Sequence, residues 1–223
     1  MSILSAFRSG DASLIFATVL SRVFVVFCCM PIHELAHGWA AYKMGDPTAK
    51  NLGRLTFNPF AHLDLIGTIM IFLFGIGYAN PVPVNARNFK NPKKGMAVTA
   101  LAGPAANLLM GFAAVCFYYV FLMFPANTAI YFIRLFFSYA ASINVTLAVF
   151  NLLPIPPLDG SKVLAMVIPS KFYFKYMQYE RYVMIALLAL LFFGVLDIPI
   201  YYLSEFMMKI ISFIPNLIYN LIV

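Results

Sequence analysis

Residues 33–37 of this 223-residue chain read His33-Glu34-Leu35-Ala36-His37. Positions i and i+4 share one face of a helix, so both imidazoles can reach a single metal ion, with Glu34 beside them to take a proton from a metal-bound water. Zinc lowers the pKa of such a water to about 7, which supplies hydroxide at neutral pH. With only three His and three Glu in the chain, the pattern rarely arises by chance. The blander alternative is a pair of histidines bonded to a neighbouring helix, with Glu34 as their counter-ion. A carboxylate at the centre of a membrane helix costs about 2.5–3.5 kcal/mol on insertion scales, so its presence in this apolar run points to function.

A hydrolytic zinc site needs three protein ligands and one open position. The candidates for the third are His62 and Asp64 in a polar loop, Asp46 beside Pro47, and Asp159 in Pro154-Ile155-Pro156-Pro157-Leu158-Asp159-Gly160. Asp159 follows a proline-rich break between apolar stretches, where an unwound backbone can aim a side chain into a bundle. Asp-Gly after prolines is equally the signature of a turn or a helix cap. On position alone the choice stays open, with His62 next after Asp159.

These residues sit in an oily chain. It is 63% hydrophobic and 10% charged, with a mean hydropathy of +0.88, whereas soluble domains are about half apolar and roughly a quarter charged. Apolar runs at about 13–43, 65–79, 96–124, 128–153, 182–198 and 199–222 have helical length, and nothing alternates as a lipid-facing strand. The expected fold is a single all-α membrane domain over 1–223, a bundle of about five to six transmembrane helices. The early run continues into His33 without a cleavage site and is expected to be mature structure. Cys28, Cys29 and Cys116 all lie inside apolar runs and are read as buried filler.

The net charge of +7 is distributed for a membrane and not for nucleic acid. Lys43, Lys50 and Arg54, then Arg87, Lys90, Lys93 and Lys94, then Lys162, Lys171, Lys175 and Arg181 gather between apolar runs, as in cytoplasmic loops. All three groups can face the cytoplasm if 65–79 dips in and returns. A short re-entrant or extended segment is therefore expected near 65–86, including Asn80-Pro81-Val82-Pro83-Val84-Asn85, whose prolines resist helix and suit an extended edge.

His33-Glu34-Leu35-Ala36-His37 followed downstream by Asn151-Leu152-Leu153-Pro154-Ile155-Pro156-Pro157-Leu158-Asp159-Gly160 resembles the site-2 protease family of intramembrane zinc metalloproteases, peptidase family M50. Its compact branch, without PDZ or CBS domains, is also resembled in Gly45-Asp46-Pro47, Gly53-Arg54-Leu55-Thr56-Phe57-Asn58-Pro59, His62-Leu63-Asp64, Pro81-Val82-Pro83-Val84-Asn85 and Ala102-Gly103-Pro104-Ala105-Ala106-Asn107. The likeness covers about residues 30–165. It implies that His33, His37 and Asp159 bind one Zn2+ per chain and that Glu34 is the catalytic base and acid. Asn151, and less directly Asn107, would support substrate or the transition state. It leaves His62 outside the ligand set, as a residue orienting its loop or as a solvated loop histidine.

The resemblance also implies a membrane-protein substrate with a transmembrane segment, in a prokaryotic cell membrane with the basic loops facing the cytoplasm. Two other classes compete. A zinc carrier would string acids or histidines along a path, yet the remaining apolar runs are nearly bare of them. A non-catalytic scaffold would carry a damaged motif, and none of the four expected residues is missing.

Overall fold

The computed structural model describes residues 3–74, 79–164, 166–169 and 178–223. Its elements are α1 (Ile3–Ser9), α2 (Ala12–Phe24), a π turn (Val25–Cys29), α3 (Met30–Met44), α4 (Thr48–Asn51), α5 (Leu65–Phe74), α6 (Pro92–Leu122), α7 (Thr128–Leu152), α8 (Asp159–Leu164), α9 (Glu180–Phe192) and α10 (Asp197–Ile222), with short 3-10 turns at Pro59–Ala61 and Ala86–Asn88. No strand occurs among the described residues.

Three helices are long and apolar enough to cross a bilayer: the rod Ala12–Met44, α6 and α7, of 33, 31 and 25 residues. The pair α9 and α10, bent by 84° at a short break, has the composition of a fourth span. The chain is an integral membrane protein. The larger number expected from hydropathy counts α5, α9 and α10 as separate crossings. The ten residues of α5 cover about 15 Å, half of a hydrocarbon core of about 30 Å. The remainder of the short segment expected at 65–79, with Gly75 and Gly77, lies outside the described residues. Residues 79–85 are neither helical nor paired with a strand.

Pro31 explains how one rod is made from α2 and α3. It has no N–H for the carbonyl of Phe27, and its ring would press on that group. The π turn before it absorbs the misfit, with the Met30 N–H reaching back to the Val25 carbonyl. Val25, Val26, Cys29 and Met30 then pack with Ile71, Ile143 and Leu147. Cys29 is buried as expected, but Cys28 is exposed on the outer face of the rod and Cys116 is half-buried.

The next two spans are joined by a tight turn. Asn91 and Asn127 cap their N-termini through the Lys94 and Ile130 amides. Arg134 Nε and Nη2 bond the Phe121 and Phe124 carbonyls at the far end of α6. Small residues let these helices approach: Ala114, Ala140 and Ala141 share a buried cluster with Val115, as is usual where lipid gives no hydrophobic drive between helices. Leu109, Phe117 and Phe213 are exposed on outer faces, an apolar surface suited to lipid.

Candidate metal centre

The register of α3 brings His33 and His37 together, their rings edge to face at 4.6 Å between centroids. The Nε2 atoms are 3.0 Å apart. Asp159 arrives from the opposite side at the start of α8, its Oδ2 3.0 Å from His37 Nε2 and 3.6 Å from His33 Nε2. All three residues are buried.

These edges test whether a metal fits. Tetrahedral bonds of about 2.0–2.1 Å place ligand atoms about 3.3 Å apart, close to the observed 3.0, 3.0 and 3.6 Å. The tautomer agrees. His37 Nδ1 lies 2.7 Å from the Thr99 carbonyl, which can only accept, so Nδ1 carries the proton and Nε2 of the neutral ring keeps its lone pair. In that form Nε2 is free to bind a metal, and it faces the Asp159 carboxylate oxygen at 3.0 Å, as two ligands of one ion would. Lys162 Nζ holds the other oxygen, Oδ1, at 3.0 Å.

Two glycines permit this convergence. A Cβ on Gly103 of α6 would run into the rings of His37 and His33. One on Gly160 would strike the carbonyls of Leu152 and Leu153, so Gly160 lets α8 tuck under the end of α7.

The trio borders a cavity of about 390 Å³ whose wall also includes Glu34, Asn107, Asn151 and Lys162. Glu34 is buried, and its Oε2 accepts the Val82 N–H at 3.0 Å. Asn107 is buried with its Oδ1 unpartnered. Asn151 is half-buried and spends its Nδ2 on the Leu147 carbonyl at 3.0 Å. The structure thus gathers His33, Glu34, His37, Asn107, Asn151 and Asp159 at one cavity.

The competing ligand candidates are engaged elsewhere. Asp64 accepts the Gly67 amide. Asp46 is fully buried and accepts from Thr48, Asn85 and Asn88. His62 is fully buried too, so the solvated-loop reading gives way; its Nε2 lies 2.9 Å from the Thr56 carbonyl and its own carbonyl accepts the Asn80 N–H at 2.7 Å. Sequence reasoning misses the Thr99 carbonyl and the Val82 amide, which are backbone groups with no side-chain signature. It also misses Lys162, whose i+3 spacing from Asp159 is a usable signal.

An all-helical membrane bundle that closes two imidazoles and a carboxylate around one point has the donor set of a membrane metalloenzyme. A family profile described as peptidase family M50 matches residues 120–194. The chain is 40% identical over 173 residues to "Putative zinc metalloprotease YwhC" of Bacillus subtilis, covering 75% of this chain and 78% of that one. It is 33% identical over 133 residues to "Putative zinc metalloprotease MJ0611" of Methanocaldococcus jannaschii, covering 59% and 62%. It is 30% identical over 151 residues to "Putative zinc metalloprotease Rip2" of Mycolicibacterium smegmatis, covering 66% and 55%. No solved structure matches the chain. The chain belongs to peptidase family M50, the site-2 protease family of zinc metalloproteases.

Proposed function

We propose that this protein hydrolyses peptide bonds in or near transmembrane segments of other membrane proteins, with His33, His37 and Asp159 holding one zinc ion and Glu34 moving the proton. The observation that carries the reading is the convergence of these four residues on a cavity inside an apolar bundle. Among the described residues this is the one group of His, Cys, Asp and Glu side chains placed to hold a metal, as expected of an enzyme and not of a carrier with a path of sites.

Zinc held by His33, His37 and Asp159 would supply Lewis acidity to the attacking water and the scissile carbonyl. Glu34 takes a proton from the attacking water and passes it to the leaving amine. Asn151, turned from its own helix, donates to the oxygen on which charge develops. The unpartnered Asn107 Oδ1 accepts a substrate N–H.

A helical peptide bond is shielded, so the substrate unwinds and lies extended beside the 80–85 segment. Val82 already gives its N–H to Glu34. Val84 lines the same cavity, and its N–H and C=O are the groups that pair with substrate. Helix geometry places His37 about 10 Å from the Met44 end of α3. At that end Lys43 lies over Trp39 and Lys50 over Tyr42, a pairing suited to the membrane–water boundary. The basic loops face the cytoplasm of a prokaryotic cell, and water enters the cavity from that side.

The test compares wild type with Glu34→Gln in detergent, measuring zinc content and cleavage of a reporter transmembrane protein. Zinc in both, with cleavage lower by about 10²- to 10⁴-fold in the variant, is the expected result. Equal cleavage would end the assignment.

A further inference from the structure

The segment Asn80–Asn88 crosses the cavity without helix or sheet pairing over its first six residues, and Pro81 and Pro83 contribute no amide hydrogens. Something else must hold it. At its start, Arg54 Nη2 bonds the carbonyls of Asn80 at 2.8 Å and Pro81 at 3.4 Å, while the His62 carbonyl takes the Asn80 N–H. At its far end, the buried Asp46 carboxylate receives the Asn85 N–H and the Asn88 side-chain amide, each at 2.7 Å. Between these holds, the Val82 N–H rests on Glu34 Oε2. A Cβ on Gly38 would crowd Val82 Cγ1 and the Leu55 side chain, so bare backbone at Gly38 lets the segment lie close against α3.

The far hold belongs to the same body as Glu34. Asp46 follows Gly45, which ends α3 in the left-handed region at φ 109, and the Asp46 N–H returns to the Ala41 carbonyl at 2.9 Å. Three residues, from Val82 to Asn85, reach at most about 11 Å, while Glu34 to Met44 already spans about 15 Å of helix axis. The strap runs alongside α3 between two anchors with little slack.

We infer that Arg54 and Asp46 are positioning residues that hold the Asn80–Asn88 strap at its two ends, so that the Val82 amide stays on the Glu34 carboxylate. The inference rests on the proposed role of Glu34. It explains why a buried acid and a basic side chain, neither touching the metal trio, flank the wall of this cavity.

Hydrogen exchange of the zinc-loaded full chain in detergent tests it, read at the Val82 and Asn85 amides. In Arg54→Gln and in Asp46→Asn, exchange at Val82 rises about tenfold or more, the loss of a charge-assisted hold. Amides within α3 and the zinc content stay as in wild type. Arg54→Lys, which keeps a charged donor, falls between. In a Glu34→Ala background Val82 already exchanges fast, and Arg54→Gln adds nothing there.

Unchanged exchange at Val82 in Arg54→Gln overturns the inference, even if Asp46→Asn does not fold. So does a full further rise in the Glu34→Ala background, because the strap would then be packed independently of Glu34. Cleavage of the reporter protein is measured alongside. Responsive exchange without wild-type cleavage leaves the strap assignment standing and removes the protease reading; cleavage with unresponsive exchange does the reverse.

Discussion

Gly103 of α6 lies so close to the His37 imidazole that a Cβ there would run into the ring, and into that of His33 beside it. The pairing of α3 with α6 is therefore set by the absence of a side chain at one position.

Gly103→Ala should push the imidazoles apart. Overpacking a tight site costs about 1–3 kcal/mol, equivalent to about a 5- to 160-fold loss of zinc affinity. Chelator competition on the purified protein measures this, and an unaltered affinity would show that the rings have room the structure denies them.

Lys162 occupies Asp159 Oδ1 and leaves Oδ2 to face the histidines. Outer partners of metal ligands are typically worth about 10- to 100-fold in affinity. Lys162→Met should lose zinc by a factor in that range, while Lys162→Arg, which can still donate to Oδ1, should hold it nearly as well as wild type. The same competition assay reads both variants.

Val84→Pro removes the amide proposed to pair with substrate and touches neither the zinc ligands nor Glu34. One hydrogen bond contributes about 0.5–1.5 kcal/mol, so kcat/KM on the reporter should fall about two- to tenfold with zinc content unchanged. Equal kcat/KM would argue that substrate docks on another wall.

Acid should loosen the loop that follows α3. Burial pushes the Asp46 carboxyl pKa up, but hydrogen bonds from Thr48, Asn88 and Asn85 outweigh it and the folded value lies below the ordinary 3.8. A depressed folded pKa gives stability that is fully present above the unfolded pKa and is lost as pH falls through the folded one. Wild type should therefore exceed Asp46→Asn in thermal stability at neutral pH, and the difference should shrink below about pH 4. Melting curves of both proteins from neutral to acid pH decide it.

Much of the site is legible in the sequence because its chemistry is carried by rare residues in an oily background. His33 and His37 announce themselves by helical spacing, whereas position leaves Asp159 one of several candidates and only the family resemblance singles it out. The span boundaries at 12–44, 92–122 and 128–152 follow from runs of apolar residues that only lipid can accommodate. What spacing does not reveal is how backbone groups are used. The Thr99 carbonyl, the Val82 amide and the His62 carbonyl have no residue-type signal, and their roles exist only once distant segments meet. His62 and Asp46 look like loop residues in one dimension because the segment that buries them, 80–88, is remote in the chain. The bend between α9 and α10 is legible only roughly: the runs 182–198 and 199–222 divide past the break that Gly194, at φ 70, makes, because both flanks are equally apolar.

The π turn at Val25–Cys29 places one additional residue in a rod that is otherwise α-helical on both sides. Each residue of an α-helix accounts for about 100° of rotation, so this single insertion sets the angular phase between two faces of one rod: the upstream face that buries Thr18, Ser21 and Arg22, and the downstream face that carries His33, Glu34 and His37. Shortening that turn by one residue would leave each half helical while swinging the histidines about a quarter of a circle away from the partner that completes their triangle.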